Sequence, residues 1–399
     1  MRALGSEWSA RELGVAAVLV IASTALAILL GEVIVRALVH RDADGQEWLY
    51  DRRLQPYRLP QRQIAATLSR LQAGTSFLAY DPELGWSPRP GARSADGLSR
   101  VDAGGIRTDR DIPVERAAPG LRVALFGDSF TFGDEVGQEQ TWGAALERRL
   151  ADRGVAAEVL NFGANAYGMD QAYLRWRRDG RRYRPDVVVF GFQGEDVLRN
   201  VNVFRPLYFE RSEVPLSKPR FVERGGALVL LNVPTIPPAE LPRAFAALEA
   251  EPLFAYERFG APFAGRWWLH VKVAALLAPA LASTDPWHLD AETRSLASRI
   301  VAAFAEDVAS ASAAFLVVDL PRREDLATLR RGGALWYGDV FGDLARRHRL
   351  VSPLAGTAGA DDPASFRPRG HYGPALNAAI GAGLAEPVLE AWRAAARSE

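Results

Sequence analysis

In the segment from Val123 to Gly133, an apolar run is followed by Gly-Asp-Ser, which places the hydroxyl of Ser129 just after the run. The sequence of the segment is VALFGDSFTFG, and helical spacing of apolar residues begins shortly after it. A buried strand ending at Gly127 would place Ser129 at the carboxyl edge of a sheet, where ligands bind in open α/β folds. Such a serine can act as a nucleophile if a base reaches it. The alternative is that Asp128 or Ser129 only caps the following helix.

The candidate base is His371, one of five histidines. Nucleophilic serine chemistry normally uses a histidine that a third group orients. His371 lies in the polar loop FRPRGHYG, which leads directly into the last helical pattern. If that loop lies beside the carboxyl edge of the sheet, it can carry the imidazole toward Ser129. The alternative is a solvent-exposed histidine just before a helix.

Apolar runs and helical patterns alternate from residue 121 onward, which predicts a parallel sheet in an α/β fold. The predicted strands are Leu121–Gly127, Val155–Phe162, Asp186–Phe192, Ala314–Leu320 and Leu350–Val351. The predicted helices are Thr141–Arg153, Gln171–Asp179, Glu292–Ser310, Arg323–Arg330, Tyr337–Arg347 and Pro374–Arg397. We expect Pro387 to kink or divide the last helix, because proline removes a backbone donor.

The N-terminal segment Leu13–Gly31 contains no charged residue, and apolar character resumes at Val33. That length is enough to cross the hydrocarbon core of a bilayer, so we predict an uncleaved transmembrane anchor. The alternatives are a cleaved signal peptide, because Ala25–Ala27 resembles a cleavage site, and a buried helix of a soluble protein. A short head before the span and a long body after it favour a body outside the cytoplasm.

The composition narrows the function classes. The formal net charge is zero and no basic run occurs, so nucleic acid is not an expected partner. The chain has no cysteine, which excludes disulfides, thiol catalysis and cysteine-based zinc sites. We expect no cofactor and no metal. Lys218 and Lys272 are the only lysines beside many arginines and alanines, which suggests a GC-rich bacterial genome.

These patterns predict three regions. Residues 1–40 form the anchor, 41–120 a juxtamembrane connector with loops, and 121–395 the α/β domain. Within that domain, the stretch 203–290 breaks the rhythm of strands and helices with many prolines and aromatic residues. We therefore predict an insertion or lid over 203–290.

The motifs and their order resemble the SGNH/GDSL hydrolase family. The first block of that family is a Gly-Asp-Ser strand end, which Phe126–Gly133 matches. The second and third blocks follow the next two strands, as Leu160–Gln171 and Val189–Val197 do. The last block is a histidine before the C-terminal helix, which His371 matches.

The N-terminal span, Tyr80–Trp86 and Gly105–Arg107 are similar to a membrane-anchored bacterial branch of this family. The resemblance implies a flavodoxin-like three-layer α/β/α domain with a parallel sheet, preceded by one transmembrane helix. It also implies a site that cleaves esters or transfers acyl groups. Ser129 would be the nucleophile, His371 the base, and the backbone N–H of Ser129 one donor to the oxyanion.

Two oxyanion positions depart from the family pattern. The second-block glycine, whose N–H lines the oxyanion hole, is Ala166 here, and a backbone N–H survives that change. The third-block asparagine is Glu195. A carboxylate at that position repels an oxyanion unless burial protonates it, and Gln193 is the alternative source of an amide.

The acid that orients the histidine also departs from the pattern. It usually lies two or three residues before the histidine, where this chain has Arg369 and Pro368. We expect Asp361 or Asp362 to substitute from farther back, or the site to work as a dyad of serine and histidine. Loss of the orienting acid costs several kcal/mol of transition-state stabilisation.

Together these features predict an anchored serine esterase that removes small acyl groups from an envelope glycan or a similar ester. The expected location is a bacterial inner membrane with the catalytic domain in the periplasm. One alternative is an O-acyltransferase acting on an exopolysaccharide or cell-wall glycan. Another is a non-catalytic glycan-binding or assembly protein, which Glu195 and Arg369 favour.

Overall fold

A computed structural model of the chain describes residues 9–54, 59, 61–116, 118–209, 212–259, 273 and 289–397. These residues fall into two compact units. The first holds the described residues up to Arg62 together with residue 273, and the second holds 63–259 and 289–397. The predicted connector 41–120 therefore falls partly in each unit.

The first unit consists mainly of helix α1, Ala10–Leu38. Ser9 and Glu12 cap it reciprocally, each accepting a hydrogen bond from the backbone N–H of the other. The segment Arg11–Leu38 is long and apolar enough to span a membrane, and its surface is not buried in the protein. This is typical of a membrane anchor or a signal sequence. A small antiparallel sheet follows, with strands β1 Val39–Arg41, β2 Glu47–Leu49 and β3 Arg52–Arg53.

A five-stranded parallel sheet forms the centre of the second unit. The strands of this unit are β4 Leu78–Asp81, β5 Gly85–Pro88, β6 Leu121–Phe126, β7 Ala157–Asn161, β8 Val187–Phe192, β9 Arg220–Arg224, β10 Ala227–Leu231, β11 Ala314–Asp319 and β12 Leu350–Val351. In the central sheet the order is β12-β11-β8-β6-β7, and all its pairings are parallel. This is the strand order of flavodoxin-like folds and confirms the predicted architecture.

Both faces of the sheet are covered, which makes three layers. The helices of this unit are α2 Gln61–Gln72, α3 Ser129–Phe132, α4 Trp142–Ala151, α5 Met169–Arg175, α6 Asp196–Arg199, α7 Arg205–Tyr208, α8 Leu241–Ala246, α9 Ala291–Ser310, α10 Arg323–Arg330, α11 Gly338–Arg347 and α12 Pro374–Ala395. Helix α2 begins two residues before the boundary between the units. One core joins the sheet to α4 and α12, and the other joins it to α5, α9 and α11. Burial on both faces explains why the strands read as continuous apolar runs.

Helix α12 runs without interruption through Pro387, contrary to the expected division. Leu384 and Val388, which flank Pro387 in the helix, are fully buried in the core that α12 shares with α4. In proteins, packing of a buried face supplies most of a helix's stability. That packing outweighs the single backbone hydrogen bond that proline cannot make.

The predicted insertion 203–290 lies between β8 and β11. Its described part contains α7, the antiparallel hairpin of β9 and β10, and α8. The buried ammonium of Lys218 pairs with Asp170 on α5, which ties this part to the domain. Residues 260–272 and 274–288 lie outside the described residues, so the predicted lid stays a prediction.

Close packing of α12 on α4 fixes the loop that carries His371. A Cβ atom at Gly381 would lie 2.6 Å from Cβ of Ala145 and 2.6 Å from the backbone nitrogen of Leu146. Only glycine allows the two helices to approach this closely. Because α12 starts three residues after His371, its position on α4 also sets the position of that side chain.

Gly381→Ala should lower the free energy of unfolding by about 1–3 kcal/mol, because the new methyl group forces α12 away from α4. The matched control is Gly342→Ala in α11, where a Cβ would meet only the end of the Arg346 side chain, 3.4 Å away. That change should stabilise the protein by up to about 1 kcal/mol through helix propensity. Urea unfolding of both variants measures the two effects, and equal shifts of the same sign would contradict the packing argument.

Candidate active site

A tight turn at the end of β6 presents Ser129. A Cβ atom at Gly127 would lie 2.3 Å from Oγ1 of Thr131 and 2.8 Å from the carbonyl oxygen of Gly191, so the turn requires glycine. Asp128 is the N-cap of α3 and accepts a hydrogen bond from the N–H of Phe130 at 2.8 Å. Capping is therefore the task of Asp128, and the hydroxyl of Ser129 is left available for another partner.

That partner is His371, whose Nε2 lies 2.9 Å from Oγ of Ser129. The loop before α12 holds the imidazole in place through its neighbours. The hydroxyl of Tyr372 donates to the carbonyl of Pro321 at 2.7 Å, and the Phe130 ring packs 5.1 Å from the imidazole. The structure thus brings together the two residues that the sequence singled out.

The third member of this arrangement is Glu135. Its Oε2 lies 2.7 Å from Nδ1 of His371. Asp361 instead pairs with Arg330, and Asp362 caps the short helix Pro363–Ser365. The expectation that Asp361 or Asp362 orients the histidine, or that the site is a dyad, is therefore corrected to a Ser–His–Glu arrangement.

Glu135 is held in place by its backbone and by its partners. It has a φ of 65°, in the left-handed region that residues other than glycine rarely adopt. The backbone N–H of Arg369 donates to both carboxylate oxygens, at 3.0 and 3.2 Å. Burial alone would raise the pKa of Glu135, but the hydrogen bonds from His371 and Arg369 outweigh it and hold the pKa below its ordinary value. The carboxylate is therefore ionised at neutral pH.

An ionised carboxylate only accepts hydrogen bonds, which fixes the tautomer of the neutral imidazole. Nδ1 of His371 must carry the proton and donate a hydrogen bond to Glu135, so the lone pair of Nε2 can accept a hydrogen bond from the hydroxyl of Ser129. Asp134 lies on this side as well, 3.9 Å from Nε2. Burial raises the pKa of Asp134 by more than the nearby imidazole and Asn165 lower it.

Two residues that line the cavity have backbone N–H groups with no hydrogen-bond partner among the described residues. Neither Ser129 nor Ala166 donates a backbone hydrogen bond within the described part of the chain. Ala166 has a φ of 64°, the left-handed conformation that a glycine adopts easily. Both residues line the cavity at the serine. That the N–H groups of Ser129 and Ala166 donate to one oxygen of the substrate stays a prediction.

Of the two other predicted oxyanion candidates, Glu195 does not fit that role, and the role of Gln193 stays a prediction, because its Nε2 has no hydrogen-bond partner among the described residues. Gln193 is buried away from the cavity wall, and its side-chain oxygen accepts from the N–H of Glu195 at 2.7 Å. Glu195 lines the cavity and pairs with Arg199 and Arg322. Burial would raise the pKa of Glu195, but these arginines hold it below its ordinary value, so the side chain has no proton to donate. The amide on the cavity wall is that of Asn165.

A buried ionic network lies beneath the serine. Nη1 of Arg199 lies 2.9 Å from Asp128 and 2.7 Å from Asp196. It also donates to the carbonyl of Tyr167 at 2.9 Å. Burial, together with the nearby Asp128, raises the pKa of Asp196. The arginine thereby links the strand end that carries Ser129 to α6 after β8.

Ser129 and His371 open into a cavity of about 860 Å³. Its charged lining residues include six arginines and four carboxylates: Arg199, Arg205, Arg322, Arg323, Arg367, Arg369, Asp134, Glu195, Glu213 and Glu324. Part of the wall is aromatic and comes from Tyr208 and Phe209 of the insertion. The volume exceeds what a small acyl group needs, so the cavity can also hold the alcohol part of an ester.

Glu135 was not among the predicted site residues, because the family pattern places the orienting acid shortly before the histidine. One signal was present: Asp134 and Glu135 directly follow the Gly-Asp-Ser block, while the usual acid position holds Arg369. A chain that has lost the acid on one loop must supply it from another loop at the same edge. The acidic pair directly after Gly133 was such a source.

Residues 123–249 match the family described as GDSL-like Lipase/Acylhydrolase. This stretch includes Ser129 and Glu135, and His371 lies beyond it. The match spans the first three strands of the central sheet together with most of the described insertion. The first block predicted from the sequence thus lies within the matched region.

Among solved structures, TesA is similar at 15% identity, covering 68% of this chain and 99% of TesA, with a TM-score of 0.36. The lipase/acylhydrolase from Enterococcus faecalis is 12% identical, covering 67% of this chain and 95% of its own, with a TM-score of 0.36. The acetyl xylan esterase AlAXEase is 12% identical, covering 67% and 100%, with a TM-score of 0.36. No curated protein matches the chain. The match over residues 123–249 is therefore the comparison that bears on its family.

Replacing Arg199 tests the buried network. Arg199→Met should lower the free energy of unfolding by about 3–5 kcal/mol, because it leaves two buried carboxylates without their cation. The control is Arg148→Met, which breaks an exposed pair with Glu139 and should cost less than about 1 kcal/mol. Urea unfolding followed by tryptophan fluorescence compares the two, and equal losses would show that the network has no special role.

Proposed function

We propose that the chain is a serine ester hydrolase that works through an acyl-enzyme on Ser129, because residues 123–249 match the family described as GDSL-like Lipase/Acylhydrolase. The observation that carries the proposal is the continuous chain of contacts from Ser129 through His371 to Glu135, at 2.9 and 2.7 Å. A nucleophile, a base and an orienting group in hydrogen-bond reach are the requirements of this chemistry.

The proposed reaction has two steps. Oγ of Ser129 attacks the acyl carbonyl while Nε2 of His371 accepts the hydroxyl proton, and Glu135 stabilises the imidazolium that forms. The imidazolium then protonates the leaving alcohol. Water attacks the acyl-enzyme with His371 again as base, which releases the carboxylic acid and restores the serine.

In both steps a negative charge develops on the carbonyl oxygen. The unpartnered backbone N–H groups of Ser129 and Ala166 are the proposed donors to it. The asparagine of the third family block is absent, and Asn165 is the proposed source of an amide. Its Nδ2 donates to Asp134 at 2.5 Å, which leaves one hydrogen of that amide for the substrate.

The proposed substrate is an acylated glycan of the cell envelope or a similar ester. A helix at α1 that anchors the chain in the inner membrane would hold the catalytic domain in the periplasm, within reach of such substrates. The Nε2–Oγ distance of 2.9 Å argues against a protein that kept only the fold, since a separated pair would be expected there.

A second candidate is an O-acyltransferase, in which a sugar hydroxyl replaces water in the second step. One observation favours it: aromatic residues of the insertion, Tyr208 and Phe209, form part of the cavity wall. Aromatic faces can bind an acceptor and exclude water from the acyl-enzyme. Product analysis with and without added oligosaccharide distinguishes the two, because transfer yields an acylated sugar and hydrolysis yields the free acid.

Hydrolysis of 4-nitrophenyl acetate by the full chain in detergent tests the nucleophile. Ser129→Ala should abolish release of 4-nitrophenol above the uncatalysed rate, because the variant lacks the hydroxyl that accepts the acyl group in the proposed mechanism. Asp362→Asn is the control and should keep the wild-type rate, since an asparagine preserves the cap that Asp362 provides. Equal rates for the wild type and Ser129→Ala would sink the proposed mechanism.

The position of the acid is tested by Glu135→Gln, which should lower kcat about 100-fold or more by removing the charge that orients and stabilises the imidazole. Adding Arg369→Asp to that variant returns a carboxylate to the family's usual position and should recover at least about tenfold of the loss. If Glu135→Gln retains full kcat, Glu135 is not the orienting acid. If the double variant has the same kcat as Glu135→Gln, a carboxylate at position 369 cannot replace the one at position 135.

A further inference from the structure

We propose that the cavity at Ser129 binds an anionic group of the ester through Arg205, so that the preferred substrate carries a carboxylate, phosphate or sulfate. Arg205 begins α7 in the insertion and lines the same cavity as the serine. That the bound anion is part of a substrate rests on the proposed esterase function. Binding of an anion to Arg205 does not depend on catalysis.

The guanidinium of Arg205 is buried, and it forms no ion pair with any of the residues that the structure describes. The residue is only 6% exposed, and its Nε and Nη1 donate no hydrogen bond within the described residues. Among carboxylates, Glu195 has the largest electrostatic influence on Arg205, but Glu195 forms its ion pairs with Arg199 and Arg322. Buried cations in proteins are normally paired, so an unpaired one on a cavity wall indicates a partner that arrives with the ligand.

Aromatic rings hold this side chain without neutralising it. The guanidinium carbon lies 5.0 Å from the centre of the Tyr208 ring and 5.5 Å from that of Phe209. Such contacts fix the orientation of the group and leave its N–H donors free. Burial, with a contribution from nearby Arg199, lowers the pKa of Arg205 to about 10, so the side chain remains charged at neutral pH.

Apart from Arg367, the other charged side chains of the cavity have ion-pair partners among the described residues. Glu195 is bound by Arg199 and Arg322, and Arg369 contacts Glu135. Arg367 has no ion pair among the described residues, but its side chain is exposed to solvent, where a cation needs no anionic partner. Arg205 is therefore the cavity arginine that is buried, has no ion pair among the described residues and is held in position by aromatic rings. A planar guanidinium can bind two oxygens of one oxyanion at once, which suits all three classes of anion.

Direct binding tests the site without any turnover. Acetate, phosphate and sulfate are titrated calorimetrically into the full chain in detergent, in a Ser129→Ala background. At least one anion should bind, and Arg205→Gln should weaken it about 10- to 100-fold, the effect of losing a charge-assisted hydrogen bond. Arg367→Gln removes the same charge from the rim and should weaken binding less than about threefold. The anion that binds best identifies the substrate class.

A matched pair of esters ties the site to the reaction. The ratio of kcat/KM for 4-acetoxybenzoate to that for the neutral 4-acetoxybenzamide is measured in the wild type, Arg205→Gln and Arg205→Lys. We expect the wild type to favour the anionic ester about tenfold or more, Arg205→Gln to lose this preference and Arg205→Lys to keep part of it. The lysine variant retains the charge and so separates loss of binding from loss of folding.

The outcomes separate the two proposals. If the anions bind through Arg205 but neither ester is hydrolysed, the proposed esterase function fails and the anion site stands. A second outcome is that both esters are hydrolysed, and Arg205→Gln changes neither the ratio of their kcat/KM values nor the affinity for anions. The anion site is then overturned, and the esterase function stands.

Discussion

The contact between Nδ1 of His371 and Oε2 of Glu135 joins two loops that are 236 positions apart in the chain. One loop leaves β6 with the serine, and the other precedes α12 with the histidine. The ionised carboxylate fixes which imidazole nitrogen carries the proton, and so determines that Nε2 can accept from Ser129. Without this contact the same residues would lie close together but the imidazole would lack a defined tautomer.

The rest of the domain can be understood as support for that contact. The turn at Gly127 and the cap from Asp128 set the direction of the serine, while the close approach at Gly381 sets α12 and the loop before it. The positive φ of Glu135 is a local strain, which costs about 1–2 kcal/mol for a residue with a Cβ atom. Strain of this kind persists where surrounding contacts outweigh it, and here those contacts include the backbone N–H of Arg369.

The sequence was sufficient for the fold because each strand is buried on both faces and reads as an unbroken apolar run, as DVVVFGF before Gln193 does. It also singled out Ser129 and His371 from local motifs, and the structure places these two side chains within hydrogen-bond distance of each other. It was not sufficient for contacts that depend on distant residues. Glu195 could have been neutral or charged until Arg322, 127 positions away, was found beside it. Pro387 did not divide its helix, because the packing that holds α12 together is not visible in local sequence.

The rate at which a fluorophosphonate modifies the serine tests the central claim most directly, because it reports the nucleophile alone and needs no knowledge of the substrate. With the full chain in detergent, mass spectrometry of the digested protein should find the adduct on Ser129. The modification rate should fall about 100-fold in Glu135→Gln, since the base loses its orienting charge. An adduct on another residue, or an unchanged rate in Glu135→Gln, would contradict the account.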